Sequence, residues 1–114
     1  MEPKSQFLKG TLELCLLALL DREPAYAPII VESLSEAGIE DVSEGTIYPA
    51  LGRLEREGLI AGERVASSVG PPRKYHRTTH LGRLRLTRLA TEWQALSGAV
   101  NTLLTETSER SAAR

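Results

Sequence analysis

Chemistry is what this sequence has least of. Its 114 residues include one cysteine and two histidines. Cys15 alone cannot form an internal disulfide, and a single thiol suits a reducing compartment. It lies within the apolar run LELCLLALL and reads as a core residue. His76 and His80 straddle the expected junction between a strand and a helix, with no third ligand at metal spacing. No glycine-rich phosphate loop is present, and nothing resembles a nucleophile–base–acid triad. Catalysis, a metal centre and a cofactor are therefore not expected. Long hydrophobic runs are missing too. The longest, Leu12 to Leu20, contains Glu13 and falls well short of the roughly 20 residues of a membrane helix. It also lacks the small-residue cleavage site of an export signal. The expectation is one modest domain in the cytoplasm.

An excess of either charge is also lacking, because the net charge is −1. The distribution is uneven, however. Residues 1–51 hold three bases and nine acids, a net of −6, whereas residues 52–88 hold nine bases and three acids, a net of +6. Residues 89–114 add −1. A field that changes sign along the molecule can orient it on a polyanion.

The pattern along the chain is mostly helical with one small hairpin. Met1 to Gln6 reads as a tail. Phe7 to Leu20 carries leucines at helical spacing, and Asp21-Arg22-Glu23-Pro24 ends that helix. A second helix runs from Ala27 or Pro28 to Ala37, with Ile30, Val31 and Leu34 on its buried side and Gly38 as its stop. Ser43 is a good N-cap for a third helix ending at Gly58. Ile47, Leu51 and Leu54 share its inner face, and Gly45, Pro49, Gly52, Arg53 and Arg56 point the other way, flanked by Thr46 and Tyr48. Pro49 removes a helical hydrogen bond there, and the alternative is a helix that starts only near Ile47. Leu59–Val65 and Arg73–Thr78 are strands joined by a link too long for a two-residue turn. Tyr75 reads as the residue of the second strand that faces the core. Thr79 caps a last helix, His80 to about Leu104, and the polar sequence beyond it is expected to fray.

A helix that is thin near its start and basic near its end, followed by a basic hairpin, is the reading surface of a winged helix-turn-helix. Arg53, Arg56, Arg73, Lys74 and Arg77 are the candidates for phosphate contacts, with Arg73 and Lys74 foremost. Thr46 and Tyr48 suit base edges or a thymine methyl group. In the last helix Leu86, Leu89, Trp93, Leu96, Val100 and Leu103 step by three and four, the stripe of helices that pack side by side. That stripe is longer than one small protomer needs, so a homodimer is expected, reading a pseudo-palindromic site in double-stranded DNA. Trp93, at its centre, is either an interface aromatic or the wall of an apolar cavity for a flat ligand. The organisation expected is residues 1–78 as the DNA-binding domain, 79–106 as the dimerisation helix and 107–114 as a flexible tail. The rival reading is a winged-helix adaptor that binds protein partners and not DNA.

The segments LKGTLELCLLALL, VSEGTIYPALGRLEREGLI, GPPRKYHRTTHLGR and TEWQALSGAVNTLL resemble the PadR family of bacterial transcriptional regulators, in its compact class with one long C-terminal helix. The resemblance implies that Thr46, Tyr48, Pro49 and Arg53 lie on the recognition helix, and Ser43, its N-cap, is counted with them among the candidate DNA contacts. It places Gly70, Arg73, Lys74 and Tyr75 in the wing. It gives Trp93 the place of a tryptophan that stacks on planar, hydrophobic effectors. It also implies repression of efflux or stress genes. The chain departs from the family pattern at Tyr26-Ala27-Pro28, where a His-Gly-Tyr motif is common, and at Gly52, His76, His80 and Leu81.

Overall fold

The computed structural model describes residues 6–113, so that most of the expected N-terminal tail, and Arg114, lie outside the described residues. The elements run α1 (Gln6–Arg22), α2 (Ala27–Glu36), α3 (Glu44–Arg56), β1 (Ile60–Val65), β2 (Arg73–Thr78) and α4 (His80–Ala113). This is the expected helical fold with one hairpin, a winged helix-turn-helix with a long C-terminal helix.

Helix α1 is the hub. It packs against α2, α3, β2 and α4, and a helix enclosed on several sides must be apolar around much of its circumference. Leu12, Leu16, Leu17 and Leu20 are accordingly buried, and they meet Ile30 and Leu34 of α2 and Ile47, Leu51 and Leu54 of α3 in one core. Cys15 is half-buried against this core, and burial pushes its thiol up from the ordinary value.

Glycine ends both α2 and α3. Gly38 and Gly58 have φ of 101° and 75°, a region that costs glycine little. Each turn lets the next residue donate back into the helix, Ile39 to the Leu34 carbonyl at 2.8 Å and Leu59 to the Leu54 carbonyl at 2.9 Å.

Helix α3 begins at Glu44, not near Ile47, so Pro49 is inside it. The carbonyl left without its usual donor is that of Gly45, four residues earlier, and both residues are exposed to solvent.

The strands pair antiparallel from Ile60↔Thr78 to Val65↔Arg73. This register reverses one expectation. His76, not Tyr75, is the buried residue. The hairpin face that carries Ile60, Gly62, His76 and Thr78 turns toward α1 and α3, where Thr78 Oγ1 donates to the Leu17 carbonyl at 2.9 Å. Tyr75 lies on the opposite face. A short bridge between Ala25 and His76 adds a third edge, which a two-residue contact cannot announce in sequence.

Thr79 Oγ1 accepts from Gly82 N–H at 3.0 Å and donates to the Gly58 carbonyl at 2.7 Å, fixing the start of α4 against the end of α3. Leu86 and Leu89 pack on the core. Arg83 and Arg85 of α4 pair with Asp21 and Glu13 of α1 at 2.7 and 2.9 Å. Farther on, α4 leaves the body. The helical backbone also continues past Leu104, where the sequence reading stops it, to Ala113, because TETSERSAA contains no glycine or proline to break it. The protomer is consequently elongated, 64 Å in its longest dimension.

Candidate nucleic-acid interface

Ser43 opens the surface. Its hydroxyl accepts from the Thr46 amide at 3.3 Å and lies 3.4 Å from the Thr46 hydroxyl, capping α3. One turn on, Tyr48 is 57% exposed, and its phenol donates to Glu44 at 3.2 Å. Desolvation, then the hydrogen bond and charge of Glu44, push that phenol up from its ordinary value. Gly45, Pro49, Arg53 and Arg56 are all exposed, and Gly52 is partly so, as their positions on the helix require. The outer face of α3 is thus thin along Gly45, Pro49 and Gly52, flanked by Thr46 and Tyr48, and basic at its end.

The bases of this region are not equally available. Arg53 forms long ion pairs with Glu13 at 3.8 Å and Glu57 at 3.7 Å, and is 53% exposed in its side chain. Pairs so long and so wet hold an arginine weakly. Arg73 stacks its guanidinium 5.0 Å from the centre of the Tyr26 ring, and Tyr26 in turn lies 5.1 Å from the Tyr75 ring. Lys74 Nζ donates to Glu55 at 3.1 Å. Arg56 and Arg77 are exposed, and among the described residues neither has an ion-pair partner. Arg73 and Lys74, the foremost candidates from sequence, are therefore the two wing bases already engaged within the chain. Gly70 lies in the exposed link between the strands, with φ 101°.

Three residues that sequence reasoning did not select are part of this surface. Glu55 receives Lys74 and His76, whose Nε2 is 2.9 Å from its Oε1. The hydrogen bonds from Lys74 and then His76 hold its carboxyl below the usual range. Gly62 lies opposite His76 in the ladder. Tyr26 supplies the ring beneath Arg73. The only advance signal was that Glu55 is one of three acids in a strongly basic stretch.

On α4, Leu86 and Leu89 are half-buried against their own core. Trp93, Leu96, Val100 and Leu103 are exposed, at 47%, 61%, 42% and 62%. The expected stripe thus divides between contacts inside the protomer and an apolar face beyond it. No group of His, Cys, Asp and Glu among the described residues could hold a metal ion, and no described helix is long and apolar enough to cross a membrane.

Several known proteins are similar to this chain. The model of the transcriptional regulator PadR-like family matches residues 16–88. A PadR-like transcriptional regulator from Bacillus cereus is 43% identical, with 88% of this chain and 97% of that one covered and a TM-score of 0.79. A PadR-like transcription factor from Bacteroides fragilis is 46% identical, with 88% and 96% covered and a TM-score of 0.73. A transcriptional regulator of Mycobacterium tuberculosis is 33% identical over 82 residues, 72% of this chain and 75% of that protein.

Proposed function

Since the chain belongs to the PadR-like family of transcriptional regulators, we propose that it is a homodimeric, sequence-specific DNA-binding repressor of its own and neighbouring genes. The observation that carries this reading is the outer face of α3. Gly45 and Pro49 near its start and Arg53 and Arg56 near its end are exposed on one helix that a buried row, Ile47, Leu51 and Leu54, fixes to the core. Such a helix can approach base edges closely through Thr46 and Tyr48 while its arginines meet phosphates. Arg77 extends the basic surface onto the hairpin, with Arg73 beside it on the same strand face.

The dimer is formed by residues from His80 onward. Trp93, Leu96, Val100 and Leu103 are apolar, exposed and in helical register, and a second α4 would cover them. A planar, hydrophobic effector of the kind exported by efflux pumps would stack on Trp93 in that interface and shift the spacing of the two recognition helices. The protein acts in the cytoplasm.

The test is binding of the purified protein to the promoter upstream of its own gene, against a random duplex of equal length. Tight, salt-sensitive binding with a clear preference for the promoter supports the proposal. Equal and weak binding to both would instead favour an adaptor that recognises protein.

A further inference from the structure

We infer that Glu55 is a positioning residue for the wing, and that Lys74 is its internal strut and not a phosphate contact. The inference rests on the DNA-binding role proposed above and concerns how the surface is held together. Glu55 lies in the last turn of α3, and its carboxylate spans the gap to β2. Lys74 Nζ is 3.1 Å from each carboxylate oxygen, and His76 Nε2 is 2.9 Å from Oε1. The recognition helix and the wing are thereby joined side chain to side chain, beyond the turn that connects them in sequence.

Two further observations belong to the same arrangement. Gly62 faces it from β1. A Cβ at that position would lie 2.5 Å from Lys74 Cε, 2.9 Å from Glu55 Oε1 and 3.1 Å from His76 Nε2. The missing side chain is what leaves room for the three groups to meet. His76, with a side chain only 8% exposed, is also the residue whose backbone bridges to Ala25: its N–H donates to the Ala25 carbonyl at 2.9 Å and its carbonyl accepts from Ala25 N–H at 3.1 Å. One residue of the wing is thus fastened by its backbone to the α1–α2 connection and by its side chain to α3. With Nε2–H donating to Glu55, Nδ1 is left as an acceptor with no partner among the described residues. Loss of the Glu55 contact would leave the backbone bridge intact, so the hairpin would stay folded but its angle to α3 would be freer.

Charge explains why Lys74 is spent in this way. An unpaired carboxylate on a surface that meets phosphates is repelled by them. Lys74 neutralises it, and the pair presents no net charge to the duplex. Arg77, on the other face of the strand, has no such carboxylate and remains available.

The test is the salt dependence of binding to a random-sequence duplex, measured for the wild type, Arg77→Met, Glu55→Gln and Glu55→Gln/Lys74→Met. Each phosphate contact contributes about 0.9 to the slope of log K against log salt. The expected result is that Arg77→Met flattens the slope by about that amount, whereas removing both charges of the pair, in Glu55→Gln/Lys74→Met, leaves it unchanged. Glu55→Gln releases Lys74, so its slope stays the same or steepens, while preference for the native promoter over the random duplex falls roughly tenfold. Equal flattening by Glu55→Gln/Lys74→Met and Arg77→Met would overturn the inference, as would a Glu55→Gln protein with unaltered preference. Failure of the wild type to bind either duplex would count against the DNA-binding role, and the strut would then be judged without DNA. Hydrogen exchange at the β1 and β2 amides should quicken equally in Glu55→Gln, in Lys74→Met and in the double variant; no change in any of them would refute the strut.

Discussion

Among single residues, two glycines illustrate how much of the packing between elements depends on absent side chains. Gly82 is buried in the first turn of α4 because that turn presses on the start of β1. A Cβ there would run into the Leu59 carbonyl oxygen and lie 2.7 Å from Thr78 Cγ2. Backbone cannot move aside as a flexible side chain can, so Gly82→Ala should cost at least the 1–3 kcal/mol or so typical of an overpacked core. Urea unfolding would measure it. Sequence reading marked the glycines of α3 for their thinness, but it had no means of marking Gly62 or Gly82, whose demands come from residues distant in the chain. The same limit explains Tyr75 and His76. Alternation along β2 says that one of the pair is inside, and only the register with β1 and the Ala25 bridge decides which. Tyrosine looks the more apolar choice. The histidine wins because Glu55 supplies its nitrogen with a partner.

At the scale of elements, the helices were legible where their own sequence carries their signals. Ser43, Gly38, Gly58 and Thr79 mark boundaries by local chemistry, and the structure uses each for the expected purpose. Pro49 is the instructive case. It argues locally for a later start to α3, but Ile47 is fully buried, and a cap at Ser43 outweighs one lost hydrogen bond. Helix α4 shows the converse, since nothing in its last residues signals a stop. Its Gly98 is exposed in mid-helix, and a Cβ there would meet nothing within 4 Å. Gly98→Ala should therefore stabilise the protein by up to about 1 kcal/mol, the ordinary difference in helix propensity. A raised melting temperature would bear this out. A lowered one would mean that a partner approaches α4 closely on that side.

At the scale of the whole molecule, shape and charge point the same way. A compact chain of this length would have a radius of gyration of about 13 Å, and the observed 17.1 Å reflects an α4 that extends beyond the body. The charge reversal seen in sequence is partly consumed inside the fold. Arg83 and Arg85 hold α4 to the acids of α1, and Lys74 is bound to Glu55, so the basic charge left free around α3 and the hairpin is smaller than the composition suggests, with Arg53 only weakly held and Arg56 and Arg77 without an ion-pair partner among the described residues. The exposed stripe on α4 leads to a definite expectation: Leu96→Asp should convert a dimer into a monomer at micromolar concentration, because each buried leucine contributes about 1.5–3 kcal/mol and a buried aspartate opposes it. Sedimentation equilibrium would show the change in mass.

The proposed homodimer presents two copies of α3 together to one side of a duplex. Hydroxyl-radical footprinting on the promoter upstream of the protein's own gene tests it most directly. Two protected patches are expected on one face, related by two-fold symmetry and about 34 Å apart, one turn of the double helix. A single unpaired patch, or even protection along the whole fragment, would contradict it.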